Sequence, residues 1–255
     1  KNLSKCTIFQ QFNDDGGSIE GSVGYHNFMT ELVLYEYYIF ESHPTKEQIV
    51  FNSGYRRSID PIMFFYVNFS RTLLNNLGDC DNSYLLPQVL GSEKGSIEMM
   101  AEILDIRKEK EKSDMPNGCR LVSAKNFGLV KIIFSDSDYE LFLRTHSEAF
   151  FGKGGHARDD SLAIWLINDE GLQIGSLGTP CYTGDLVKLL RHKAAGSHSR
   201  PNLSDIRCMT NIGPWHAEYH TNWEMEYKEY GDTAEVAARH YSKESQAVLA
   251  RSIRA

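Results

Sequence analysis

Two histidines four residues apart, His216 and His220 in the segment WHAEYH, are the spacing closest to chemistry in this chain. On a helix, positions i and i+4 share one face, and two imidazoles there could hold a zinc ion. The pattern is not HExxH, because Glu218 stands two positions after the first histidine instead of one, and no third ligand can be picked. A metal-dependent enzyme using His216 and His220 is therefore an alternative, with surface or interface histidines the plainer reading. The stretch FGKGGHARDD, 151–160, carries glycines and Lys153 that could cradle a phosphate. It lacks the GxxxxGK[ST] spacing, and Asp159-Asp160 would oppose an anion, so a plain glycine loop is expected. Asp14-Asp15 and Asp159-Asp160 are adjacent pairs, which on a strand point to opposite faces, the wrong arrangement for acid/base work. There is no GxSxG, GxGxxG or CxxC, and no cysteine with an evident histidine partner. The residues alone assign no catalytic group and no resident metal.

Composition narrows the classes further. A chain of 255 residues buries a real core as one large domain or two small ones. Its formal charge of −7 argues against coating nucleic acid, which needs a basic field. No apolar run approaches the roughly 18 residues of a membrane span. The start, KNLSKC, shows no signal-peptide core. Five cysteines at scattered spacings suit free thiols in a reducing compartment better than a disulfide frame.

Residues 1–24 are polar, glycine-rich after Asn13, and expected as an N-terminal arm, leaving 25–255 as a single domain. Residues 32–40 are aliphatic and aromatic on both alternating faces, and 48–51 return after a loop, which reads as a β-hairpin. Asp60-Pro61 is expected to open the first helix, with Ile62, Phe65, Phe69, Leu73 and Leu77 on one face and Gly78 closing it. A second helix is expected over 96–112, its mixed-charge tail solvated. Leu129–Phe134 is a short apolar run between turn signals, and 127–135 is expected as a central strand with the core built around it. Segment 32–40 is expected beside it in one core. Ser137-x-x-Glu140 fits a capping box and predicts a helix over 138–150. A hairpin follows over 161–176, then a short strand or helix at 186–190 and a loop over 194–205. Segments 215–230 and 233–253 read as helical. This is an α+β domain without a recognisable active site.

Several pieces, in this order, resemble cypovirus polyhedrin. They are LYEYY at 34–38 followed by IVFN at 49–52, then PNG at 116–118, SAK at 123–125 and IIFS at 132–135. LRTHSEA at 143–149, DEG at 169–171 with Ile174-Gly175, Trp223-Glu224 and AVLA at 247–250 complete the set. Residues 78–112 and the first twenty depart from the family pattern, which makes this a divergent member. The resemblance implies an antiparallel β-sandwich, jelly-roll-like and decorated with several α-helices. It implies no enzyme but a matrix protein whose homotrimers pack into crystals around virus particles, in occlusion bodies in the cytoplasm of an infected cell. Neither membrane nor sequence-specific nucleic acid is expected as a partner. Some members bind nucleotides, but no such residue transfers to this chain, and no cofactor is otherwise expected. Titrating lysine, the 13 tyrosines and the five cysteines would drive the charge far below −7, so such crystals are expected to dissolve in alkali. A jelly-roll binding or capsid-like module is the further alternative.

Overall fold

The computed structural model describes residues 10–42, 46–70, 76–80, 95–106, 118–203 and 206–255. Its centre is a five-stranded antiparallel sheet whose strands run in chain order: β1 (Cys119–Ala124), β2 (Leu129–Phe134), β3 (Glu140–Arg144), β4 (Ile164–Asn168) and β5 (Gly171–Ile174). A three-stranded antiparallel meander covers one face of it: β8 (Thr221–Tyr230), β9 (Thr233–Ser242) and β10 (Val248–Arg254). A small ribbon pairs β6 (Met209–Asn211) with β7 (Ala217–Tyr219). The helices are α1 (Val23–Ser42), α2 (Lys46–Phe69), α3 (Ser96–Ile103) and α4 (Leu186–Lys193). The architecture is α+β.

Period-two alternation in β2 builds the layers. Val130 and Ile132 face Val236, Ala238 and Leu249 of the meander, forming the interior of a sandwich. Leu129 and Ile133 point the other way, onto Val23 of α1 and Phe65 and Phe69 of α2. Trp165 on β4 lies in that second layer, fully buried, with its indole N–H donating to Asn76. The β2 strand and the hairpin of β4 and β5 fall where the sequence places them. Lys131 would be a stranded charge in this interior, but it pairs with Glu140 of β3 at 2.8 Å.

Several expectations are corrected. Segments 32–40 and 48–51 are not a hairpin but parts of α1 and α2. The buried residues of α1, including His26, Thr30, Val33, Leu34 and Tyr37, recur at steps of three and four. A short run that is apolar all round fits either structure until a partner chooses, and here α2 and α3 enclose it. Segment 32–40 therefore lies in a cluster with Ile59, Ile62 and Met100, separate from the two that contain β2. Asp60-Pro61 does not start a helix, since Pro61 lies inside α2, although Ile62, Phe65 and Phe69 are buried as expected. Segment 138–150 forms β3 and an extended run instead of a helix. Ser137 accepts from the Tyr139 amide in a local turn, and Glu140 is drawn to Lys131, so neither caps. Segments 215–230 and 233–253 are strands, not helices. On β9 the residues Ala234, Val236, Ala238 and His240 are buried, a period of two hidden under helix-favouring alanines. Of the second helix, 96–103 is observed, and 107–112 lie outside the described residues.

The described part of the expected arm, 10–24, is core. Phe12, Ile19 and Val23 are buried, and the Asp15 carboxylate accepts from the amides of Asn126 and Phe127 at 2.6 and 2.9 Å. Gly16 has φ of 80° and lies so close to Pro61 that a Cβ would meet its carbonyl oxygen at 1.8 Å. No helix among the described residues is long and apolar enough to cross a membrane. Cys80, Cys119, Cys181 and Cys208 are free thiols. Alkylation after denaturation without reductant should label all four, and a protected thiol found by mass spectrometry would contradict this.

Four histidines are buried and held neutral by desolvation. Their pKa values are lowered to about 3 for His26 and His146 and about 4 for His198 and His240. Between those values and about 6.5 the unfolded chain binds more protons, so stability falls as pH drops through this window. Asp159, raised to about 6 by burial, works in the opposite direction, as do Asp15 and Glu20, both raised by desolvation. Four large shifts outweigh these, and the melting temperature should fall steadily from pH 7 to pH 4.5. A rise over that range in a thermal melt would contradict it.

Candidate functional site

The glycine loop that ends in His156 is wound against the start of the chain. Gly152, Gly154 and Gly155 have φ of 79°, 104° and 55°, a left-handed path open to glycine. The His156 amide donates to the Glu20 carbonyl at 3.0 Å, and the His156 carbonyl accepts from the Asp79 amide at 2.8 Å. The imidazole is thereby fixed between two segments distant in sequence. Tyr25, in the first turn of α1, stacks on it with ring centroids 3.7 Å apart and planes within 9°. Tyr182, from the loop before α4, places its hydroxyl 3.2 Å from His156 Nδ1 and hydrogen-bonds the Tyr25 hydroxyl. Trp215 extends the aromatic wall beside Tyr182, centroids 5.8 Å apart. On the other side, Glu20 Oε2 stands 3.8 Å from His156 Nε2. Burial raises the Glu20 pKa.

Behind this cluster lies a buried charge network. The Asp79 carboxylate receives Arg158 Nε at 3.1 Å and Lys193 Nζ at 2.6 Å, all three side chains being nearly inaccessible. Arg158 also donates to Thr179, whose hydroxyl accepts from the Cys80 amide. Lys193 reaches the Pro214 carbonyl at 3.0 Å, one residue before Trp215. Its pKa is lowered by desolvation, with Asp79 acting against that. Two cations share one carboxylate, and Arg158 Nη1 makes no hydrogen bond among the described residues. Arg158 and Lys193 thus stand behind His156 where they can draw an anionic ligand, with Asp160 also acting on Lys193 and Glu20 beside the imidazole.

The residues singled out in the sequence fare differently. His216 and His220 are not on one helix face: His216 precedes β7 and lies exposed, and His220 falls between β7 and β8 with Nε2 2.9 Å from the Thr210 hydroxyl. No group of three metal-ligating side chains occurs among the described residues. Asp159 and Asp160 do point apart, Asp159 to Arg200 and Asp160 to Arg144. These buried arginines neutralise the pair, so it does not repel anions as the sequence suggested. Lys153 is exposed. His156, two positions before Arg158 in the same motif, is the residue the sequence reading passed over. Its signal was a histidine directly after three glycines in five positions, a loop shaped to bring backbone close to something.

No family model matches the chain, and no curated protein matches it. One solved structure shares the fold. It is the heparan sulfate lyase HepC mutant from Pedobacter heparinus, which matches with a TM-score of 0.68 at 14% identity. The match covers 98% of this chain and 38% of the lyase chain. At that identity the likeness shows the fold alone. This chain thus spans well under half the length of the protein it is similar to.

Proposed function

We propose that the His156 cluster is the site of a polysaccharide lyase that cleaves uronate-containing chains by β-elimination. The observation that carries the reading is the Tyr182 hydroxyl 3.2 Å from His156 Nδ1, with Tyr25 stacked on the imidazole and hydrogen-bonded to the same phenol. In such an elimination a base removes the proton at C5 of the uronate, the electron pair forms the C4–C5 double bond, and the C4–O4 bond breaks. An acid then returns a proton to the departing oxygen. Base and acid act on neighbouring atoms, so a histidine and a tyrosine in hydrogen-bond contact match the task. Hydrolysis runs instead on paired carboxylates, whereas this cluster joins one imidazole and two phenols with the single carboxylate of Glu20 beside them. The two cations behind His156, Arg158 and Lys193, suit a carboxylate-bearing substrate. The fold it shares with a heparan sulfate lyase is in keeping with this.

The reading differs from the non-catalytic matrix protein expected from the sequence, because the proposed acid/base pair is assembled from parts no motif connects. The test is digestion of a panel of acidic polysaccharides, followed by ultraviolet absorbance of the unsaturated uronate product. Rising absorbance with one member is expected. New reducing ends without absorbance would mean hydrolysis and defeat the reading.

An occlusion-body matrix protein is the second reading, favoured by Tyr227 and Tyr230, which are exposed on β8 and available for contacts between copies. Against it, LYEYY and IVFN, which the resemblance places in a hairpin, are helical. Expression in insect cells separates the two, since intracellular crystals that dissolve in alkali belong to the matrix reading alone.

A further inference from the structure

A cavity of about 250 Å³ lies across the segment 18–21 from His156. Ser18, Ile19 and Gly21 form its wall, while Glu20 between them faces His156. Its opposite side is aromatic. Phe150 and Phe151 both adopt left-handed backbone, φ 50° and 56°, and Phe151 is 77% exposed. Consecutive non-glycine residues in that region are disfavoured, and such conformations cluster at ligand sites. The backbone holds them there: the Phe150 amide donates to Ile19, and the amides of Gly152 and Gly154 both donate to Ala149. The same loop that delivers His156 therefore presents Phe151 to solvent.

The rest of the cavity is built in detail. The His146 ring is stacked on Trp223 with centroids 3.8 Å apart. Its Nε2 donates to the Lys125 carbonyl at 3.0 Å, and its Nδ1 accepts from the Glu148 amide at 3.1 Å. Both ring nitrogens are used, which fixes a neutral tautomer. The Trp223 indole donates to Glu148 Oε2 at 3.1 Å, orienting that carboxylate at the rim. Asn126 adds an amide to the lining, and neither lysine nor arginine contributes to it. Aromatic walls with a few placed polar groups are the makings of a small-ligand site. With one carboxylate at the rim and no cation in its lining, the cavity favours a neutral ligand over an anion, the Arg144 guanidinium behind Phe127 and Gly21 being paired with Asp160.

We infer that this cavity binds a neutral pyranose residue of the polysaccharide, stacked on Phe151 and hydrogen-bonded by Glu148, next to the unit cleaved at His156. The inference rests on the lyase reading for the identity of the chain and on the cavity itself for the neutral ring. It makes the substrate a heteropolysaccharide in which uronates and neutral sugars adjoin, since the cations behind His156 and the neutral cavity are neighbours.

Two neutral disaccharides, cellobiose and diacetylchitobiose, and one sulfated uronate disaccharide are the probes, titrated while Trp fluorescence or ligand NMR is followed. The wild-type protein should bind at least one neutral disaccharide, and the sulfated one, which the His156 site can take, should not displace it. Phe151→Gly, which the left-handed backbone accommodates, should weaken that binding about tenfold, a difference readily resolved in an affinity measurement. In Glu148→Gln the sulfated probe should begin to compete with the neutral one. His156→Ala should bind the neutral sugar as well as wild type does. Unchanged affinity in Phe151→Gly, or displacement of the neutral sugar by the sulfated probe in the wild type, overturns the inference. If no acidic polysaccharide is cleaved yet Phe151→Gly loses the neutral sugar, the lyase reading falls and the subsite stands.

Discussion

Replacing His156 with alanine is expected to lower turnover of an acidic polysaccharide by about a thousandfold, within the range for loss of a positioned acid or base. Folding should be unaffected. His156 is only partly buried, and its backbone bonds to Glu20 and Asp79 do not involve the imidazole. Tyr182→Phe removes one hydroxyl and should cost about a hundredfold, with KM little changed, because the proton moves only in the transition state. The two losses should not multiply in the double variant, since the residues act through one hydrogen bond. Initial rates and circular dichroism on the purified variants decide this. A His156→Ala protein with near-wild-type turnover would remove the cluster from the chemistry, whatever its effect on binding.

The second large effect concerns stability. Asp79→Ala leaves Arg158 and Lys193 as buried cations facing each other without their shared carboxylate. Breaking a buried ion pair by removing one partner costs roughly 3–5 kcal/mol. A drop of that size should appear in chemical denaturation as a lower midpoint at constant slope. Replacing all three residues by apolar side chains of similar volume should restore most of the loss, because the desolvation penalty goes with the charges. A single variant as stable as wild type would mean that water reaches the network. Activity would report separately, since the charge behind His156 becomes more positive when Asp79 is lost.

What the sequence determined by itself was local. Leu129–Phe134 is a strand because β-branched and aromatic residues fill both of its faces between two turns. Ile164–Ile174 is a hairpin because Asn168 to Gly171 can only turn, with the Asn168 side chain accepting from the Glu170 amide. The glycines before His156 were visible as a loop for the same reason. Tertiary structure decided the rest. Residues 31–42 are apolar enough for strand or helix, and only the fit against α2 and α3 selects helix. Residues 217–254 carry helix-favouring Ala, Glu and Lys, yet they extend because burying Val236, Ala238 and Leu249 on the central sheet outweighs a propensity of tenths of a kcal/mol per residue. The site was beyond sequence reading for a simpler reason. Glu20 and Tyr25, Asp79, His156, Tyr182 and Trp215 lie on five separate stretches of chain. They meet because α1 and the loops after β3 and β5 converge on the same side of the sheet, and no spacing in the sequence encodes that convergence.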